Sequence, residues 1–433
     1  MSRNAAYWSL FVLVAINILN FYDRQVAGAI AEPVRKEFSL TDTQLGLINF
    51  WFTVLYGIVG LPLGRLADKT SRKKLLSAGV VVWAALTAYN KWVFSYPMLV
   101  IARLGVGVGE ATCAPTATSW IGDLFPSERR AKPLALFMLG VPVGGALSLF
   151  FSGPIAHRYG WRAAMMLAAA PALVLVPMLL ALKEPPRGAA DRHASMPAGS
   201  LSDTLSQILR IPTFWWIALS GALVNFNLYA VGTFLPAFFG RIHRMNVAQA
   251  GIQTGIVYAI GGVLGGVVAG VLGDRIVRRS ASGRMMAAAI TALLSAPLSY
   301  FGIHQSYGEL ALAVSLLTIA YGLLNMYYGF VYSSIQDIVP PALRGTTMAT
   351  YFLVMYLIGA SWGSYIIGKL SDNFARHAAT LAGSAQITEP FKAIGLQQAM
   401  LAIPVLSLAL GVVLWAGSRT IGRDIQRRQA TSN

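Results

Sequence analysis

Long apolar stretches recur along the whole chain, and they constrain its fold more than any other feature of the sequence. Each is near twenty residues long, the length that an α-helix needs to cross the hydrocarbon core of a bilayer, roughly 30 Å. Backbone polar groups in lipid must be satisfied within the segment, so these stretches predict membrane-spanning helices. We predict an all-α membrane protein with twelve transmembrane helices, at about 7–30, 43–66, 74–95, 98–122, 131–155, 161–182, 213–240, 247–272, 284–303, 308–334, 345–370 and 393–417.

Composition and charge placement agree with this prediction. Only 12% of the 433 residues are charged, too few to cover a soluble domain of this size. Of the 34 Lys and Arg residues, 22 lie at the two termini and in or at the edges of every second loop, nine lie in or at the edges of the other loops, and three lie further inside the predicted helices. Because cytoplasmic loops carry an excess of Lys and Arg, both termini are predicted to be cytoplasmic. The net charge of +17 thus reports membrane orientation, and no nucleic-acid partner is expected.

Two segments of the first half of the chain are repeated in the second half. Residues 64–73, at the end of the second predicted helix, match residues 270–279 at the end of the eighth, with Gly, Asp and the basic residues at a constant offset of 206. Residues 123–130 match 337–344 at an offset of 214, and the same offset relates Gly145 to Gly359. Such parallel repeats are typical of transporters built from two similar bundles.

The longest connection between predicted helices separates the two repeats. It is rich in Pro, Gly, Ala and charged residues, and within it the apolar residues of 201–209 share one helical face. That pattern predicts a short amphipathic helix on the membrane surface. We therefore predict an N-terminal six-helix half at 1–182, a cytoplasmic linker at 183–212 and a C-terminal six-helix half at 213–433.

Each copy of the first repeat carries an aspartate and an arginine four residues apart, on one side of a helix. The aspartate is suited to accept hydrogen bonds from a neighbouring helix N-terminus or an arginine. Gly64 and Gly270, which precede the aspartates, are expected to allow close helix approach. We predict a cytoplasmic gate formed by Asp68, Arg72, Asp274 and Arg278.

With this duplicated block, the chain resembles the major facilitator superfamily over its whole length. Residues 20–24, Asn-Phe-Tyr-Asp-Arg, resemble the Asn-Tyr-x-Asp-Arg sequence of spinster-like transporters, with Phe21 where tyrosine is usual. Residues 103–111, Arg-Leu-Gly-Val-Gly-Val-Gly-Glu-Ala, are similar to the fourth helix of the same branch. The resemblance implies a bacterial-type homologue in the inner (plasma) membrane that moves lysophospholipids or sphingoid phosphates, coupled to protons, by alternating access.

The same residues leave an alternative open. An Asp-Arg pair in the first helix is also typical of anion:cation symporters. A proton-coupled symporter or an exporter of small organic acids or drugs is therefore the second hypothesis for this chain.

Four charged residues lie deep inside two predicted helices, where a charge costs about 3 kcal/mol on insertion scales. Arg103 and Glu110 are seven residues apart and face the same direction on the fourth helix. Asp23 and Arg24 are in the first helix. We predict that Asp23 and Glu110 accept protons, and that Arg24 and Arg103 are their ion-pair partners and candidates to bind an anionic headgroup.

Polar and aromatic residues elsewhere in the predicted helices suggest the wall of a substrate cavity. Those in the second half are neutral, and several share a face at helical spacing. An ionic half and an aromatic half suit an amphipathic substrate. The predicted cavity residues are Asn20, Tyr22, Trp51, Tyr56, Phe137, Asn225, Asn227, Asn325, Tyr328, Tyr332 and Tyr356.

Other functional classes are disfavoured by what the sequence lacks. The five histidines are scattered without metal-ligand spacing, no nucleophile constellation is present, and no Gly-rich phosphate loop with a lysine indicates ATP as an energy source. We therefore expect no enzyme activity, no cofactor and no bound metal. The expected partners are a lipid-like substrate, protons and the bilayer, and the expected state is a monomer.

Overall fold

The computed structural model describes residues 2–126, 129, 131–187, 189, 201–277, 280, 282–340 and 343–430, and the described chain is almost wholly helical. Eleven helical segments in these ranges are long and apolar enough to cross a membrane. The twelfth span, Arg72–Tyr89, has 18 residues and begins with Arg-Lys-Lys, which lowers its mean hydropathy. The predicted twelve-helix membrane fold is confirmed.

The first six spans include three that are interrupted by a short break. Span 1 is followed by a short helix, Ala31–Glu37, and span 3 by a 3₁₀ turn, Asn90–Trp92. The spans are Arg3–Ala29 (span 1), Asp42–Lys69 (span 2), Arg72–Tyr89 (span 3), Tyr96–Glu110 with Cys113–Leu124 (span 4), Ala131–Met138 with Gly140–Tyr159 (span 5), and Trp161–Ala169 with Ala172–Ala181 (span 6).

The last six spans include two with a π-helical turn. The amphipathic helix predicted before span 7 is present at Leu201–Leu209, with Ile208 buried. The spans are Pro212–Ile242 (span 7), Val247–Ile256 with the π-turn Val257–Gly262 and Val263–Val277 (span 8), Gly283–His304 (span 9), Leu310–Asp337 (span 10), Arg344–Val354 with the π-turn Met355–Ala360 and Ser361–Leu381 (span 11), and Glu389–Met400 with Ala402–Ala430 (span 12).

Local capping explains where spans 2 and 3 begin. The Thr41 side chain accepts a hydrogen bond from the Gln44 backbone N–H at 3.2 Å, and the Gln44 side chain accepts one from the Thr41 N–H at 2.9 Å. This reciprocal pair is a capping box. Ser71 caps span 3 in the same manner, since its hydroxyl accepts from the Lys74 N–H at 3.3 Å.

The chain packs into two compact units. The first comprises Met1–Ala194, Gly232–Gly240 and Met245–Gly255, and its core includes the fully buried Trp83 and Trp120. The second comprises Ser195–Val231, Arg241–Arg244 and Ile256–Asn433, with Phe214 and Phe330 in its core. The sequence-based division at 183–212 stays a prediction.

Glycines permit close approach between spans within each unit. A Cβ at Gly144 in span 5 would collide with the carbonyl oxygen of Ile18 in span 1, and a Cβ at Gly359, within the π-turn of span 11, would collide with that of Ala222 in span 7. The correspondence of Gly145 and Gly359 at the offset of 214 stays a prediction.

The expectation that Gly64 and Gly270 allow close helix approach is wrong. A Cβ at Gly64 would make only ordinary contact, 3.7 Å from Pro115 Cβ, and one at Gly270 would meet nothing within 4 Å among the described residues. The close approaches lie elsewhere, as at Gly109, whose Cβ would be 2.8 Å from the Gly79 carbonyl oxygen. Sequence position at the end of a span was not enough to locate the contacting face.

Candidate functional site

Asp23 and Arg103 form an ion pair between spans 1 and 4. Arg103 Nη1 donates to Asp23 Oδ1 at 2.9 Å, and the Thr87 hydroxyl of span 3 donates to Asp23 Oδ2. Both charged side chains are almost completely buried. One carboxylate thus joins three spans of the first unit.

Arg24 and Glu110 form a second ion pair between the same two spans. Arg24 Nε donates to Glu110 Oε2 at 2.8 Å, and Glu110 is fully buried. The Arg24 guanidinium carbon lies 4.1 Å from the centroid of the Tyr56 ring and 4.9 Å from that of Phe21. These are distances at which a ring face stabilises a cation.

The two ion pairs are arranged along span 4. Arg103 and Glu110 are seven residues apart, which is about 10 Å of helix rise. Asp23 and Arg24 are adjacent in the chain, but they pair with different residues of span 4. Asp23 pairs with Arg103, and Arg24 pairs with Glu110 about two helical turns further along. The structure brings together the four charged residues that the sequence singled out, and the set is electrically neutral when all four are ionised.

Several polar atoms in this cluster have no hydrogen-bond partner among the described residues. They are buried and belong to groups that bond strongly when a partner is present. Removal of such atoms from water without a partner costs about 1–3 kcal/mol each, and more for charged groups. The atoms concerned include Asn20 Nδ2, Glu110 Oε1, and Arg103 Nε and Nη2.

The remaining candidate residues of the first unit lie in different surroundings. Tyr22 is close to the cluster, and its hydroxyl accepts from Ser152 at 3.1 Å. Phe137 is buried in the core of the unit, and its carbonyl accepts from the Asn17 side chain at 2.7 Å. Trp51 is 48% exposed and packs on Phe50, away from the ion pairs. Its neighbour Phe52 instead covers Arg103, with 5.1 Å between its ring centroid and the guanidinium carbon.

In the second unit the structure joins several predicted residues into a tyrosine cluster. The Tyr328 hydroxyl donates to Asn225 Oδ1 at 3.0 Å, and the Tyr328 and Tyr332 ring centroids are 5.2 Å apart. Tyr356 packs on Tyr229, with centroids 6.4 Å apart.

The tyrosine cluster extends beyond the predicted set. Tyr258 and Tyr321 lie with centroids 4.4 Å apart, and the Tyr327 and Tyr351 hydroxyls are 3.1 Å apart. A signal for Tyr321 existed in the sequence, since it lies one helical turn before Asn325, and its carbonyl accepts from the Asn325 side chain at 3.1 Å.

Asn227 is separate from the tyrosine cluster. Its side-chain amide donates to Ser407 Oγ in span 12 at 3.2 Å, and the residue is fully buried. Asn227 therefore joins spans 7 and 12 within the second unit through a neutral amide.

Of the four side chains in the predicted gate, the structure describes that of Arg72. Arg72 is buried and pairs with Asp123 at the end of span 4, while Arg72 Nε donates to Glu184 Oε1 at 3.0 Å. The Asp68 and Asp274 side chains and all of Arg278 lie outside the described residues. The sequence reasoning gave no role to Asp123 or Glu184, although Asp123 stood in a repeated segment.

Glu184, just after span 6, accepts hydrogen bonds from several donors at the start of span 3. Ser71 Oγ donates to Glu184 Oε2 at 2.6 Å, and the backbone N–H groups of Arg72 and Lys73 donate at 3.0 and 3.3 Å. Burial by itself raises the pKa of Glu184, but these hydrogen bonds together with that from the Arg72 side chain outweigh it and lower the pKa. The carboxylate thus holds the start of span 3 to the end of span 6.

In the second half of the chain, Arg284 near the start of span 9 donates to Asp337 Oδ2 at the end of span 10, at 3.1 Å. Arg428 Nη1 of span 12 donates to the Asp337 carbonyl oxygen at 2.8 Å. This ion pair resembles that of Arg72 and Asp123 in the first half of the chain. No group of three or more residues suited to hold a metal ion occurs in the described ranges.

Comparison with known proteins agrees with the twelve-helix fold. Residues 13–364 match the family model described as Major Facilitator Superfamily. An "MFS-type efflux pump" of Mycolicibacterium smegmatis is 28% identical over 427 residues, which cover 97% of this chain and 94% of that protein. Human "Protein spinster homolog 1" is 28% identical over 388 residues, which cover 84% of this chain and 73% of that protein.

Solved structures show the same relationship. A bacterial homolog of the human lysosomal transporter Spinster, in an inward-facing and unoccupied conformation, superposes with a TM-score of 0.88 at 26% identity, covering 98% of this chain and 99% of that one. A D-xylose-proton symporter superposes with a TM-score of 0.73 at 18% identity, covering 94% and 97%, and shares the fold.

Proposed function

The chain belongs to the Major Facilitator Superfamily, and we propose that it is a proton-coupled transporter that moves an amphipathic anionic lipid, such as a lysophospholipid or a sphingoid phosphate. Its relatives place it among transporters of the spinster type, which work by alternating access. The coupling ion and the substrate class are the parts of this statement that we propose.

The observation that carries the proposal is the pair of buried ion pairs, Asp23 with Arg103 and Arg24 with Glu110. Buried ion pairs stabilise a fold less well than apolar packing of the same volume, so retaining two of them suggests a function. Protonation of either acid would leave one arginine without a charged partner in a membrane interior, which costs several kcal/mol. An anionic group that binds the arginine restores neutrality. Protonation and anion binding therefore favour each other, which is the coupling that a transporter needs.

The tyrosine cluster of the second unit supports an amphipathic substrate. Its rings present apolar faces with hydroxyl groups at their edges. The Tyr328 hydroxyl bonds Asn225 and the Tyr327 hydroxyl bonds that of Tyr351, so these hydroxyl groups need no charged partner. An apolar chain of such a substrate would pack on these rings.

The second candidate is a transporter of small organic acids or drugs. It is favoured by one comparison, the efflux pump of M. smegmatis, which matches nearly the full length of this chain. An Asp-Arg pair would serve a carboxylate as well as a phosphate.

We further propose an inner-membrane monomer with both termini in the cytoplasm, and with two six-helix halves at 1–182 and 213–433 joined by the linker 183–212. The predicted gate residues Asp68, Arg72, Asp274 and Arg278 remain in this proposal. To them we add Asp123, Glu184, Arg284 and Asp337, because these residues form the ion pairs at the ends of spans 3, 4, 6, 9 and 10.

The test is reconstitution in liposomes with an imposed pH gradient, comparing a lysophospholipid, a sphingoid phosphate and short organic acids as substrates. We expect gradient-driven movement of the lipids, lost at least tenfold in Asp23→Asn and in Glu110→Gln, while exchange without a gradient persists. Movement of organic acids alone would favour the second candidate. If both variants retain gradient-driven transport at equal expression, the two acids do not carry the proton.

A further inference from the structure

We propose that an apolar pocket beside Arg103 is the subsite for the anionic end of the substrate, and that it selects an oxyanion joined directly to an aliphatic chain. This inference rests on the proposed function, because it assigns the headgroup to one of the two buried arginines. Arg103 would bind the oxyanion through one edge of its guanidinium group.

The pocket is lined by residues of spans 1, 2, 4, 6 and 7 and of the short helix Ala31–Glu37, with Arg103 in its wall. Most of the lining is aliphatic, including Ala27, Ala31, Ile48 and Met165. The polar lining consists of Arg103 and of Asn49 and Thr233, whose side chains are joined by a hydrogen bond of 2.9 Å. A mostly apolar cavity with few polar groups is the usual form of a small-molecule site.

The guanidinium of Arg103 is only partly used by the protein. Nη1 bonds Asp23, and the Phe52 ring covers the group at 5.1 Å. Nε and Nη2 are buried and have no hydrogen-bond partner among the described residues, although the side chain is only 2% exposed. These two nitrogens carry parallel N–H bonds along one edge, the fork that holds a carboxylate or phosphate in bidentate fashion.

This geometry allows Arg103 to contact the substrate and a protonated Asp23 together. The neutral Asp23 would keep its hydrogen bond from Nη1, and the oxyanion would use the Nε and Nη2 edge, so that the buried charges stay balanced. Aliphatic lining next to that edge favours methylene groups directly after the oxyanion. Alkyl phosphates and alkanoates meet this requirement better than headgroups with a polar spacer.

The experiment titrates the purified full-length protein in nanodiscs with n-alkyl phosphates from ethyl to octyl, followed by tryptophan fluorescence. Inorganic phosphate and the matching n-alkanols serve as probes of the oxyanion alone and the chain alone. We expect affinity to rise about fourfold for each of the first methylenes, as burial of a CH₂ group predicts. The Arg103→Lys variant keeps the charge and loses the fork, so alkyl phosphate affinity should fall at least about tenfold while alkanol binding is unchanged.

The pocket is tested by changing its size in both directions. Ala31→Leu should remove the dependence on chain length, and Ile48→Ala should extend it to longer chains. Ala85→Leu, at an exposed position of span 3, is the matched control and should bind as the parent does. Unfolding midpoints show that each variant is folded, and Ile48→Ala decides the matter if Ala31→Leu does not fold.

Two results would overturn the subsite. One is that alkyl phosphates bind no more tightly than the matching alkanols, and the other is that chain-length dependence is the same in the parent and in both pocket variants. Either result leaves the proposed transport function standing if liposome uptake of lipid follows the pH gradient. Conversely, binding through Arg103 without gradient-driven uptake would retain the subsite and refute the coupling.

Discussion

Arg284 donates a hydrogen bond to Asp337 across 3.1 Å, and this pair occupies in the second half of the chain the place that Arg72 and Asp123 occupy in the first. Each arginine is the first or second residue of its span, and each aspartate is near the end of the span that follows. The two pairs differ in burial. The Arg72 side chain is 1% exposed and that of Asp123 12%, against 12% for Arg284 and 39% for Asp337.

This difference predicts unequal costs of breaking the two pairs. Arg72→Gln leaves Asp123 and Glu184 without their buried cation and should destabilise the protein by about 3 kcal/mol. Arg284→Gln affects a partly solvated pair and should cost about 1 kcal/mol or less. Unfolding midpoints in detergent measure both. Equal losses in the two variants would show that burial does not set the strength of these pairs.

Glu184 should make stability depend on acidity. Because its pKa is lowered in the folded protein, its contribution is present above the unfolded-state value, about 4.3, and is lost as the pH falls through the folded value. Glu184→Gln does not titrate, so its unfolding midpoint should fall less than that of the parent between pH 7 and pH 4. Glu309→Gln, at an exposed turn, is the control and should follow the parent. An unchanged pH response in Glu184→Gln would contradict this prediction.

The assignment of partners within the charged cluster is open to a direct test. Arg103→Gln leaves Asp23 as an uncompensated buried charge and should cost about 3–5 kcal/mol. Adding Asp23→Asn removes that charge and should restore at least half of the loss. Adding Glu110→Gln instead should restore nothing, because Glu110 pairs with Arg24. Thermal unfolding of these three variants and of Asp23→Asn and Glu110→Gln alone gives the coupling energies, and rescue by Glu110→Gln would mean that the pairs are exchanged.

The glycine contacts between spans predict that the same substitution, Gly→Ala, changes stability in opposite directions at different positions. Gly144→Ala and Gly359→Ala place a Cβ against a backbone carbonyl, which must force the spans apart, so folded protein should fall severalfold. Gly266→Ala, in span 8, would place a Cβ that meets no described residue within 4 Å, and it should stabilise the helix by up to about 1 kcal/mol. Yield of monodisperse protein and its unfolding midpoint report the effect. Tolerance of alanine at Gly359 would mean that spans 7 and 11 pack less tightly than the structure indicates.

The sequence was sufficient for features that depend on local composition. Hydrophobicity over twenty residues defines a membrane span, and a charge within such a span is costly wherever the helix packs. For this reason the spans and the four residues Asp23, Arg24, Arg103 and Glu110 were identified before any contact was known. Spacing also showed that Arg103 and Glu110 share a face.

Pairing and register were decided by the tertiary structure. Which acid meets which arginine depends on how spans 1 and 4 are rotated about their axes, and no local pattern contains that rotation. The close approach at Gly359 depends on where span 11 meets Ala222 of span 7. Arg284 meets Asp337 because the packing of spans 9 and 10 brings together residues 53 positions apart. Hydrophobicity and helical period are carried by neighbouring residues, whereas ion pairs and close helix contacts arise only when distant spans are packed together.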